Sequence, residues 1–111
     1  MSAEASQDIQ GKRLGILVRD NKFLGQVIKL TEAAHKQGVK AEIFFSGKGV
    51  LLTQEPEFAQ LEGKAGRISV CDVSFRALEL SGEVPGVGFR DFATQARNAE
   101  MVEECDRYVV F

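Results

Sequence analysis

The chain has 111 residues, a formal net charge of −2 and 44% hydrophobic residues. That suits one domain able to bury a core without disulfide staples. Lys/Arg and Asp/Glu are interspersed, which leaves no basic face for nucleic acid, and the apolar runs are too short for a membrane span.

The opening MSAEASQDIQGK is polar and lacks the apolar core of a secretory signal, so a cytoplasmic protein is expected. Residues 1–12 read as a flexible arm ahead of a single domain over 13–111. RLGILVR (13–19) is a continuous apolar run between charges, the mark of a strand buried on both faces. DNKFLGQ then opens a helix that Asp20 or Asn21 can cap. Leu24, Val27, Ile28, Thr31 and Ala34 recur at helical spacing, with Gly38 as the stop.

VKAEIFFS (39–46) is the second strand, and GKGVLLTQEPE turns away from it with Gly47 and Gly49 freeing the backbone. Phe58 and Leu61 predict a short helix at 56–62, ISVC (68–71) is the third strand, and 73–80 reads as a short helix. SGEVPGVGF is loop, with room for a very short strand at 87–89. Phe92, Ala96, Ala99, Val102 and Cys105 mark one face of a helix from 91 to 105, and RYVVF (107–111) is the last strand.

Alternating strands and helices predict an α/β fold: a three-layer α/β/α sandwich of right-handed βαβ units around a mostly parallel sheet of four to five strands. Sites in such sheets form beyond the carboxyl ends of the strands. Asp20, Asn21, Gly47, Lys48, Gly49, Cys71 and Asp72 all fall at that edge. Cys105 precedes the last strand and belongs to the opposite edge, so an intramolecular disulfide with Cys71 is not expected.

With two cysteines and one histidine the chain lacks the ligands of a standard zinc site, and neither a metal nor another cofactor is expected. Any cysteine chemistry is then thiol chemistry. Cys71 is either a small buried hydrophobe or a nucleophile at a strand end, where the following helix start favours the thiolate. Arg76, one turn on, adds positive charge if it folds back; Asp72 opposes the thiolate unless it caps the helix. CDVS also fits a CxxS spacing without thioredoxin-like flanks. Lys48 is either a solvated turn residue or a cation at the rim of the Cys71 site. GKG (47–49) lacks the spacing of a nucleotide-binding loop. Cys105 lies on an apolar helix face, where packing competes with a resolving-thiol role. His35, the lone histidine, reads as a partly exposed helix residue and not as a base.

Taken in order, LGILV with its long helix, AEIFFSGKGVLL, ISVCDVSFRAL and CDRYVVF resemble the DsrE/DsrF-like proteins, which include the TusD-type sulfur-relay subunits, from about Lys12 to Phe111. The resemblance implies a parallel five-stranded sheet, assembly into homotrimers or homohexamers, and a sulfur-carrying cysteine at the end of the third strand, here Cys71. It departs from the relay members after that cysteine, where the segment shortens to LELSGEVPG.

The function this implies is a sulfurtransferase-like carrier that holds sulfane sulfur on Cys71 as a persulfide and passes it to an acceptor thiol. Its partners would be sulfur-donor and sulfur-acceptor proteins or small persulfides. Supporting roles fall to Ser74 and Arg76 beside Cys71, to Lys48, and to the turns at 47–49 and 82–88. Apolar residues in VGFRDF and GVLL are available to contact further copies. The alternatives are a homo-oligomeric interaction or small-ligand-binding module with a merely packed Cys71, and a thiol peroxidase or redox sensor.

Overall fold

A computed structural model describes residues 9–111. Five strands form one all-parallel sheet in the order β4-β3-β2-β1-β5: β1 (Arg13–Val18), β2 (Lys40–Phe45), β3 (Arg67–Cys71), β4 (Phe92–Ala93) and β5 (Arg107–Val110). Between these strands lie three α-helices of the described residues: α1 (Leu24–Lys36), α2 (Asp72–Ala77) and α3 (Gln95–Glu104). The α/β sandwich read from the sequence is the observed architecture, with the sheet wholly parallel.

The three central strands are apolar throughout because both faces are covered. Alternate residues point to opposite faces. Ile16 and Val18, Ile43 and Phe45, and Ile68 and Val70 join α1 and the 3₁₀ segments in the larger core, which also takes Val50, Leu52, Phe58 and Leu61. Leu17, Phe44 and Cys71 point the other way, toward Met101 of α3. One helix thus serves an entire face. Each fully buried Val, Leu, Ile or Phe contributes about 1.5–3 kcal/mol relative to exposure.

α1 buries Leu24, Val27, Ile28, Thr31 and Ala34, the stripe its spacing predicts, and stops at Gly38, whose φ is +74°. The Thr31 hydroxyl is satisfied within the helix by donating to the Val27 carbonyl at 2.8 Å. The start differs from expectation. Phe23 occupies the N-cap without a side-chain capping bond, so neither Asp20 nor Asn21 caps α1.

Later boundaries differ for local reasons. Residues 47–54 continue as a 3₁₀ helix, where a plain turn was expected. α2 is shorter than the expected 73–80 helix: it begins at Asp72, with Cys71 at the N-cap, and ends at Ala77. Glu79 then adopts a positive φ of 60°. The short fourth strand lies at Phe92–Ala93 rather than 87–89, and α3 starts only after the Thr94 hydroxyl accepts from the Ala96 N–H at 3.3 Å. Ser69, Arg97, Asp91 and Arg67 pin that edge: Arg97 donates to the Ser69 hydroxyl at 2.5 Å and to Asp91 at 3.0 Å, and Arg67 to Asp91 at 2.9 Å.

Residues 1–8 of the expected N-terminal arm lie outside the described residues. Of the rest, the Gly11 N–H donates to the Gly38 carbonyl at 2.8 Å, and the Lys12 carbonyl accepts from the Lys40 N–H at 2.8 Å. Val50 and Leu52 of GVLL are buried in this chain's own core and are not available to another copy, whereas Phe89 is 95% exposed. Among the described residues, no helix is long and apolar enough to cross a membrane.

Candidate functional site

The parity of the strands decides what meets at the carboxyl edge. Ser46 follows β2 on the same side as Phe44, and Cys71 ends β3 on the same side as Ser69. Both therefore face α3, whose first residue is Gln95. The Gln95 amide donates to the Ser46 hydroxyl at 2.9 Å and to Cys71 Sγ at 3.7 Å. On the other flank, Ser74 of α2 accepts from the Gly47 N–H at 3.0 Å through its Oγ. Gly47 adopts a φ of +55°, a left-handed conformation that favours glycine. Gly49 is also required. A Cβ there would come within 2.1 Å of the Val18 carbonyl oxygen, so the turn lies directly against the end of β1.

Cys71 is a free thiol, only 4% exposed. Burial alone pushes its pKa up. Hydrogen bonds from the Ser74 hydroxyl and N–H, the Gln95 amide and the Val73 N–H act against it, and the net direction is downward. These donors favour the thiolate, the nucleophilic form. Cys105 contrasts with it. It is a free thiol at the end of α3, and burial followed by the Glu42 charge pushes its pKa up. It precedes β5 at the amino edge of the sheet, and β3 and β5 are separated by β2 and β1.

A polar cavity of about 580 Å³ adjoins this network, lined by Arg19, Asp20, Ser46, Gly47, Lys48, Ser74, Val110 and Phe111. Ser46 and Ser74 form the wall that the cavity shares with the Cys71 network. The structure therefore brings Asp20, Gly47, Lys48 and Ser74 together beside Cys71, with Gly49 holding the turn against β1.

Other expected residues lie elsewhere. Asn21 lines a separate groove between α1 and the 3₁₀ segments. Arg76 does not fold back over the thiol. It is an exposed side chain paired with Asp72 at 3.1 Å, four residues earlier on the same helix. Asp72 stands in the first turn of α2 and is not its cap. The loop at 82–88 does not border Cys71, because Gly86 lies against Ile68 and Glu62, near the other end of β3.

Ser46, Gln95 and Arg19 are the residues that sequence reasoning missed. Gln95 is an exposed polar residue with no motif around it. Ser46 and Arg19, each following a strand, carry the same positional signal that singled out Asp20 and Gly47.

No family model, curated protein or solved structure matches this chain.

Proposed function

We propose that the protein carries sulfane sulfur on Cys71, as its resemblance to the DsrE/DsrF-like proteins implies. The observation that carries the reading is the set of donors around one buried thiol: Ser74, Gln95 and the Val73 N–H, which together outweigh burial and favour its thiolate. In the transfer step the Cys71 thiolate attacks the outer sulfur of a donor persulfide, R–S–SH. The Cys71 S–S bond forms as the donor S–S bond breaks, and the electron pair leaves on R–S⁻. An acceptor thiolate reverses the sequence at Cys71–S–SH and restores the thiolate. No net oxidant or reductant is needed.

The 4% exposure of Cys71 favours the alternative, a non-catalytic interaction module with a packed thiol. On the carrier reading, Gln95 must move aside for the donor. The test is intact mass after incubation with inorganic polysulfide, alongside Cys71→Ser and Cys105→Ser. The expected result is added sulfur that reductant removes and that only Cys71→Ser abolishes. Absence of an adduct on the folded protein, with alkylation of Cys71 only after denaturation, overturns the carrier reading in favour of the packed-thiol module.

A further inference from the structure

The polar cavity beside Cys71 contains charges that the fold itself does not use. Arg19 and Lys48 both line it. Among the described residues, neither has an ion-pair partner, although seven other ion pairs form. Asp20 lines the same cavity and pairs with neither cation. Its Oδ1 is buried without a hydrogen-bond partner, and the residue as a whole is half-buried, so its other carboxylate oxygen is the one open to a ligand. The cavity thus has two exposed cations without ion-pair partners, a half-buried carboxylate that pairs with neither, and the apolar Phe111, behind a wall of two serines from the thiol. Its volume of about 580 Å³ suits a small molecule.

A simple anion fits the cations but would be repelled by Asp20. A simple cation fits Asp20 but would be repelled by Arg19 and Lys48. A zwitterion fits both. We propose that the cavity is a subsite for a low-molecular-weight thiol or persulfide with an α-amino acid end, cysteine being the smallest member of the class. The carboxylate lies between Arg19 and Lys48, and the ammonium donates to the Asp20 carboxylate. This rests on the carrier reading for the sulfur end of the ligand. The sulfur reaches past Ser46 and Ser74 to Cys71, and the transfer follows the balanced exchange given above: the zwitterionic persulfide leaves as its thiolate and Cys71 keeps the outer sulfur.

The test uses the full chain and the unreactive probe S-methyl-L-cysteine, so binding is read independently of Cys71 chemistry. Backbone amide NMR shifts at Asp20, Gly47, Lys48 and Ser74 are expected to saturate with the probe. The N-acetyl methyl ester of the same compound, which has neither charge, should leave them unmoved. Asp20→Asn and Lys48→Met should each weaken binding by about tenfold, the effect of losing one charge-assisted contact, without changing the remainder of the spectrum. Equal binding of the uncharged ester, no saturable shift, or indifference to both substitutions overturns the subsite. Polysulfide loading of Cys71 without probe binding removes the subsite and leaves the carrier reading intact. Probe binding without any loading supports the zwitterion site and overturns the carrier reading.

Discussion

Gln95 and Cys71 are joined across the top of the sheet: the amide at the first residue of α3 donates to the thiol at the last residue of β3, 3.7 Å away. The same amide nitrogen donates to Ser46, so one side chain ties the end of β2, the end of β3 and the start of α3 together. Chemically it both favours the thiolate and covers it.

Ser74→Ala separates the first of these effects from burial. In the wild type the rate of Cys71 alkylation by iodoacetamide should rise with pH to a midpoint below that of the same thiol in the unfolded chain. Losing the Ser74 hydroxyl should move that midpoint up, because a hydrogen bond to the charged form is lost while burial stays. Cys105 should titrate in the opposite sense, above the ordinary value. A depressed folded-state pKa also implies that Cys71 adds stability as pH rises through that value and up to the unfolded one. Urea midpoints of wild type and Cys71→Ser across that window should therefore diverge with rising pH. Parallel curves and an unmoved alkylation midpoint would remove Ser74 from the account.

Gln95→Ala tests the covering role. At a pH above the alkylation midpoints of both proteins, alkylation should be faster by about fivefold, because opening no longer breaks about 1 kcal/mol of hydrogen bonding. Quench-flow rates with a small alkylating reagent measure this. An unchanged rate would mean that Cys71 is enclosed by the sheet and α2 rather than by Gln95.

At the opposite edge, Arg13 Nε lies 2.5 Å from Oε2 of Glu42, a carboxylate whose side chain is 8% exposed. Arg13→Leu should destabilise the protein, because it leaves a largely buried carboxylate without its counter-charge. Arg13→Leu combined with Glu42→Leu should recover most of that loss. Urea denaturation of both variants decides the point; a double variant no better than the single one would show that packing, and not charge, is the cause.

Two glycines should respond in opposite directions. Gly49→Ala drives a Cβ into the Val18 carbonyl and should cost about 3 kcal/mol, at the upper end of overpacking. Gly25→Ala, in the first turn of α1 with nothing within 4 Å of the new methyl, should stabilise by about 0.5 kcal/mol. Thermal midpoints that move in the same direction would contradict this assignment.

The parts of the fold legible in the sequence are those with strong local patterns. β1, β2 and β3 are unbroken apolar runs, and α1 repeats its buried residues at helical spacing over thirteen positions. Cys71 at the end of such a run could be placed at the carboxyl edge from pattern alone. β4 could not be located, because two residues carry no alternation and Phe92 falls in phase with Ala96 and Ala99 as though α3 began earlier. Gln95 was invisible for another reason: its partners are 24 and 49 residues away, and nothing local distinguishes it from any solvated glutamine. Arg76 was misread because its position allowed two partners, and Asp72, one helical turn away, is the one it takes.

The strand order 4-3-2-1-5 has a consequence for synthesis. The strand that carries Cys71, its neighbour β2, and the helix and 3₁₀ segments over its larger core face are complete by residue 71, whereas β4 and the helix over its other face come later, at 92–93 and 95–104. Chains grow from the amino end at about 5–20 residues per second. The thiol therefore emerges before its lid does, and for a second or more its protection depends on whatever meets the growing chain. The last crossover, from β4 at one edge to β5 at the other, is the event that encloses it.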